Sequence, residues 1–352
     1  MTTLLTQLSL HTPIVQAPMA GVSTVALAAA VSNAGGLGSL GLGHLSTQHA
    51  QEQIQQLKAQ TSGPFNVNFF AHQPTQPFPA QEQQWLALLE PYFAEFKAVA
   101  PTSLHAPYQS AVNNEALIDM LCLEKPAVVS FHFGLPDAQA ITRLQAAGIQ
   151  VWGCATNLYE ALSLQEANIN AIIAQGIEAG GHRGTLHPDT DQQIGLFSLL
   201  PVLRQYIKLP LIAAGGIMTG SSIAAALHLG AELAQMGTAF ILCPESAADE
   251  HYRANLQSIN AFQTTLTAVI SGRPARGIKN RMHEEVHEFI EYVPDYPIAY
   301  SAAKALHAAA SKQGCHDFAA HWAGQGAPLA RALPATDLMQ QLKAELQVAL
   351  DH

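Results

Sequence analysis

Short apolar runs recur along this chain, each followed by a stretch of helical periodicity or a glycine-bearing loop. They fall at residues 13–17, 36–40, 65–69, 127–131, 150–154, 171–174, 210–214 and 232–236. Each is too short for a helix and suits a strand buried on both faces. Helical patterns follow several of them: residues 24–33 are alanine-rich, 137–147 open on Asp137 as an N-cap, and 221–229 open on Ser221. Strand, helix, strand at this regularity reads as βα units joined by right-handed crossovers. A doubly wound open sheet would show the same alternation. Eight strands, with glycine-rich loops after so many, favour closure, so the predicted fold is an α/β (β/α)8 TIM barrel.

Such a barrel takes about 250 residues, which leaves roughly 100 of the 352 for insertions. The predicted division gives the barrel residues 1–70, 126–243 and about 327–352, with 71–125 and 244–326 as insertions. The first insertion opens on a Pro/Gln-rich stretch, 72–79, and continues as amphipathic, aromatic-bearing sequence, so it reads as a loop leading into helices. Together the insertions are expected to form a mainly helical, substrate-binding lid over the strand C-termini.

Composition narrows the setting. Hydrophobic residues make up 49% and charged residues 12%, enough for a large core, yet no apolar segment approaches the length that spans a bilayer. The first residues lack a basic n-region, so no signal peptide is read, and a soluble cytoplasmic protein without membrane or obligate protein partner is expected. Cys122, Cys154, Cys243 and Cys315 have no CxxC spacing, which argues against a zinc site. A net charge of −10 disfavours nucleic acid. The local basic cluster of Arg273, Arg276, Lys279 and Arg281 reads as a loop anchor.

The chemistry concentrates in loops. Residues 174–184 set His182 and Arg183 among four glycines directly after the apolar run 171–174. Glycine lets backbone approach a ligand, and histidine titrates near neutrality. A Gly-Gly-His run is also an ordinary turn; its place after a predicted barrel strand is what makes it a candidate site, with Gly180 and Gly181 beside the ligand. Phosphate sites in barrels often lie after strands seven and eight. Here those loops carry Gly215 and Gly216, then Gln235, Met236, Gly237 and Thr238. Asn68 and Gln175, at strand ends, suit hydrogen bonds to a flat heterocycle, and the Ala17, Pro18, Met19 turn suits its face. FMN fits the combination. Further on, Pro297 suits a first helical turn, which puts Tyr296 at the helix entrance and Tyr300 and Lys304 on one face.

The segments 16–21, 66–68, 175–184, 213–217, 235–238 and 271–277 together resemble the nitronate monooxygenase family, and the histidine loop resembles its class I subgroup. The resemblance implies FMN as cofactor, O2 as co-substrate and propionate 3-nitronate as substrate, giving an aldehyde or oxo acid plus nitrite or nitrate. It implies that Asn68, Gln175, Gly180, Gly216, Gln235, Met236, Gly237 and Thr238 bind FMN, that His182 is the active-site histidine, and that Tyr108, Tyr296, Tyr300 and Lys304 line the substrate pocket. His182 could take a proton when neutral or stabilise an anion when protonated; for an already anionic nitronate the second role is expected to matter more. Other readings on the same barrel are an FMN- and NAD(P)H-dependent enoyl or quinone reductase, a flavin-free enzyme of sugar phosphates, and a flavin-binding module without turnover.

Overall fold

The computed structural model describes residues 3–351. Its main sheet contains β1 (Ile14–Gln16), β2 (Gly38–Gly41), β3 (Phe65–Phe70), β4 (Val128–His132), β5 (Gln150–Ala155) and β6 (Ala171–Gln175). A two-residue strand, β7 (Gly181–His182), lies outside it; β8 (Leu211–Ala214) and β9 (Leu233–Met236) complete it. The order is β1-β9-β8-β6-β5-β4-β3-β2, with every described pairing parallel. A parallel bridge between Val15 and Leu37 joins the two ends, so the sheet curls into a TIM barrel. Each of the eight predicted runs overlaps one barrel strand, and five of those strands run one residue further than predicted.

Local sequence explains the helices around it. Thr24 accepts from the Leu27 amide at the start of Val25–Asn33, and Asp137 accepts from Ala140 at the start of Ala138–Ala146. Thr219 and Ser222 form a capping box on Gly220–His228, so that helix starts slightly earlier than the pattern suggested. Gly220 is required there by close packing: a Cβ on it would lie 2.2 Å from the Leu346 amide nitrogen of helix Ala335–Leu350.

Alternation along the strands sorts their side chains into two layers. Val15, Leu37, Val128, Trp152, Ile212 and Leu233 form the barrel interior, stoppered by Leu4, Leu8 and Leu10 from the N-terminal turn. Ala234 and Met236, on the opposite face of β9, join the strand–helix layer instead. One end of the barrel is thereby filled with hydrocarbon, and the polar strand-end residues are left to the other.

A second apolar core combines segments remote in sequence. Trp85, Leu89 and Phe93 of helix Pro79–Glu95 pack with Met282, Phe318 and with Leu306 of helix Ile298–Ser311. Helix Glu115–Glu124 packs elsewhere: its Leu117, Ile118, Met120 and Leu121 belong to the barrel's outer layer, so residues counted with the 71–125 insertion serve the barrel. The 244–326 stretch also holds a hairpin, β10 (Thr264–Thr267) and β11 (Ala275–Ile278), and β11 pairs antiparallel with β7. That side sheet has no long alternating run to announce it. The basic residues nearby are anchors: Arg276 donates to the Ile177 and Thr264 carbonyls, and Arg281 pairs with Glu95 and Glu285. No helix among the described residues is long and apolar enough to cross a membrane.

Candidate active site

A cavity of about 370 Å³ opens at the C-terminal ends of the barrel strands. Ala17, Pro18 and Met19 line it after β1, Asn68 on β3, and Gln175, Gly180, Gly181 and His182 from the end of β6 through the loop to β7. Gly215 and Gly216 follow β8; Gln235 lies on β9, with Gly237 and Thr238 just beyond. Tyr108, Tyr300 and Lys304 reach the same space from the added segments. Two expected residues do not line it. Met236 is buried in the strand–helix layer because it faces opposite to Gln235. Tyr296 stands behind His182, its ring centroid 5.5 Å away, and its buried hydroxyl has no hydrogen-bond partner.

The histidine loop is held by a buried bracket. Gln175 Nε2 donates to the His182 carbonyl at 2.9 Å, while Gln175 Oε1 accepts from Arg183 Nη1 at 3.0 Å and from the Gly184 amide at 2.8 Å. Arg183 is fully buried and turned away from the cavity, pairing with Asp191 at 2.8 Å and donating to the Gly176 carbonyl at 2.7 Å. Gln175 is therefore tied into the loop at both ends of its amide.

His182 Nε2 lies 2.8 Å from Ser271 Oγ, and the His182 carbonyl accepts a second hydrogen bond from His132 Nε2 at 3.1 Å. Enclosure pushes its pKa down to about 3, with the neighbouring His132 and Arg273 adding to the effect. Those surroundings favour the neutral imidazole over the cation. The cation of the site is Lys304, which has no carboxylate partner among the described residues. Its Nζ lies 4.5 Å from the Tyr108 ring centroid and 4.8 Å from that of Tyr300. Desolvation lowers its pKa and raises those of Tyr108 and Tyr300, which keeps both phenols as donors.

Among the polar side chains, several have capacity left for a ligand. Gln235 Oε1 and His44 Nδ1 are buried without a partner. Asn68 spends its Nδ2 on the Ser130 carbonyl and hydroxyl, both at 3.0 Å, which leaves its oxygen. Gly215 and Gly216 take φ of +123° and +68°, and a Cβ on Gly180 would meet the Gly324 nitrogen at 2.5 Å. Glycine-lined backbone beside a largely apolar space with free amide oxygens on Gln235 and Asn68 is chemistry that suits a phosphorylated heterocycle with its own N–H donor. His44, Phe70, His132 and Trp322 also line the space. His132 was missed because the predicted run stopped at residue 131, although strand alternation puts His132 on the same face as Ser130; Trp322 sits in irregular chain with no such signal.

The family profile described as Nitronate monooxygenase matches residues 2–345. The chain belongs to the nitronate monooxygenase family. It is 51% identical over 351 residues to a nitronate monooxygenase of Paraburkholderia phytofirmans, covering 99% of this chain and 96% of that one. It is 50% identical to one of Pseudomonas aeruginosa, covering 97% of each. A nitroalkane oxidase from Streptomyces ansochromogenes superposes with a TM-score of 0.90 at 40% identity, over 99% of both chains. FabK from Thermotoga maritima has the same fold, with a TM-score of 0.75 and 26% identity over 100% and 98% of the two chains. As a nitronate monooxygenase this is an oxidoreductase acting on nitronates, and the family is flavin-dependent.

Proposed function

We propose that this enzyme binds FMN without a covalent link and oxidises propionate 3-nitronate with O2, yielding an aldehyde or oxo acid plus nitrite or nitrate, in the cytoplasm. The observation that carries the reading is Lys304: an ammonium without a carboxylate partner, seated on two phenol-bearing rings, facing the same cavity as His182. A small acid with a second negative group would supply the missing counter-charge, and Tyr108 and Tyr300 would donate to it. Tyr296 acts from behind, backing the His182 ring.

The backbone at Gly215, Gly216, Gly237 and Thr238 would take the phosphate, with Ala17, Pro18 and Met19, Asn68, Gly180, Gly181 and Gln235 around the ring system. Met236 would contribute only backbone, and Gln175 would act chiefly by holding the His182 loop. The flavin, when bound, supplies the electron-transfer chemistry. Lys304 binds and orients the substrate, His182 accepts a hydrogen bond or a proton, and the added segments that carry Tyr108, Tyr300 and Lys304 limit access of water.

Released chromophore, identified after denaturation, tests the cofactor, and nitronate-dependent oxygen uptake tests the reaction. FMN and uptake with propionate 3-nitronate are expected. FAD would overturn the cofactor, and prompt anaerobic bleaching of the flavin by NADH or NADPH would move the protein to the reductase reading.

A further inference from the structure

The ring of His182 has two nitrogens, and a neutral imidazole carries its proton on only one of them. Which one is decided by its partner. Ser271 Oγ lies 2.8 Å from Nε2 and is itself fully buried. The serine has a single hydroxyl hydrogen and two possible destinations for it. One is His182 Nε2. The other is the Arg273 carbonyl, 3.1 Å away, for which Ser271 is the hydrogen-bond donor found among the described residues. A carbonyl can only accept, and leaving it unpaired in buried surroundings is costly. The hydroxyl hydrogen therefore goes to Arg273, and the serine oxygen, which also accepts from the Arg273 amide at 3.3 Å, faces His182 as an acceptor.

We propose that Ser271 is a positioning residue that fixes His182 in the Nε2–H tautomer, so that Nδ1 carries the lone pair available for chemistry. The backbone makes this a rigid relation. His182 pairs with Ala275 across β7 and β11, and the Arg183 amide donates to the Pro274 carbonyl at 2.8 Å, which lays the 271–277 segment along the histidine loop. The His182 carbonyl is clamped from the other side by Gln175 and His132. Arg273 is placed by its donation to the Thr185 carbonyl at 2.9 Å and by stacking 4.5 Å from the Phe133 centroid, so the carbonyl that receives the serine proton does not wander. The proposal rests on His182 being the reacting imidazole.

Nitrogen-15 NMR of histidine-labelled protein, with His182→Asn used to assign the signal, reads the tautomer without reference to turnover. In the wild type the His182 signals should be those of the Nε2–H form. In Ser271→Ala they should become those of a tautomer mixture, and kcat should fall by roughly 10- to 10²-fold with KM little changed. Ser271→Thr, which keeps the hydroxyl, should restore both. A wild-type Nδ1–H signal, or an unaltered tautomer in Ser271→Ala, would overturn the proposal. If the tautomer shifts while neither Ser271→Ala nor His182→Asn slows turnover, Ser271 still sets the tautomer and the reading of His182 as the reacting group fails.

Discussion

Lys304 holds its ammonium 4.5 Å from the centre of the Tyr108 ring, across the boundary between the two segments added to the barrel. A cation so placed, without a carboxylate neighbour among the described residues, discriminates by charge. Lys304→Met should raise KM for propionate 3-nitronate far more than for an uncharged alkyl nitronate, by roughly 2 to 5 kcal/mol in binding terms. Steady-state kinetics on both substrates check it; equal losses would make the lysine a packing residue.

His182→Asn should keep its flavin, because the residue's carbonyl rather than its ring is what Gln175 and His132 grip. Its nitronate oxidation should slow by roughly 10²-fold or more. Flavin content by absorbance and single-turnover rates on the same sample separate the two effects.

Stability should fall with acid in a defined window. Burial pushes His72, His132, His283 and His321 down to about 4, and His182 to about 3. A histidine whose folded pKa is depressed binds its proton more readily when unfolded, so the unfolded state gains protons first as pH drops below about 6.5. Tm should therefore decline steadily from pH 7 toward pH 4. A flat Tm over that range would mean these imidazoles charge in place.

The buried Arg183–Asp191 pair makes a different prediction. Removing the acid strands a guanidinium that is 0% exposed, and breaking such a pair costs about 3 to 5 kcal/mol. Asp191→Ala should lower the denaturation midpoint accordingly, and it should lower activity as well because Arg183 shares its hydrogen bonds with Gln175. Loss of stability with unimpaired turnover per folded molecule would show the loop to be held by other means.

The barrel was legible because its strands are continuous apolar runs with capped helices after them, a signal carried by local sequence. The glycine loops and His182 were legible for the same reason, lying just past strand ends. Tyr300 and Lys304 followed from helical spacing. What could not be read was anything fixed by contact across the chain. Gln175 lines the cavity as expected, but its second part, as a bracket for its own loop, was not readable; Tyr296 fell behind His182; Ser271 was seen as part of a motif without its partner. The helix Glu115–Glu124 was assigned by position to an insertion, whereas its apolar face belongs to the barrel.

The pairing of β7 with β11 has a consequence for how the molecule comes apart. Gly181 and His182 are strung on a ladder that ends in the 264–278 hairpin rather than on the barrel sheet. In native-state hydrogen exchange their amides should open together with that hairpin, as one cooperative unit distinct from the barrel strands. A partly unfolded molecule could thus keep the strand-borne part of its flavin cradle, at Gly215, Gly216 and Gln235, while losing Gly181 and the imidazole from it, and such a molecule would be inactive before the barrel itself came apart.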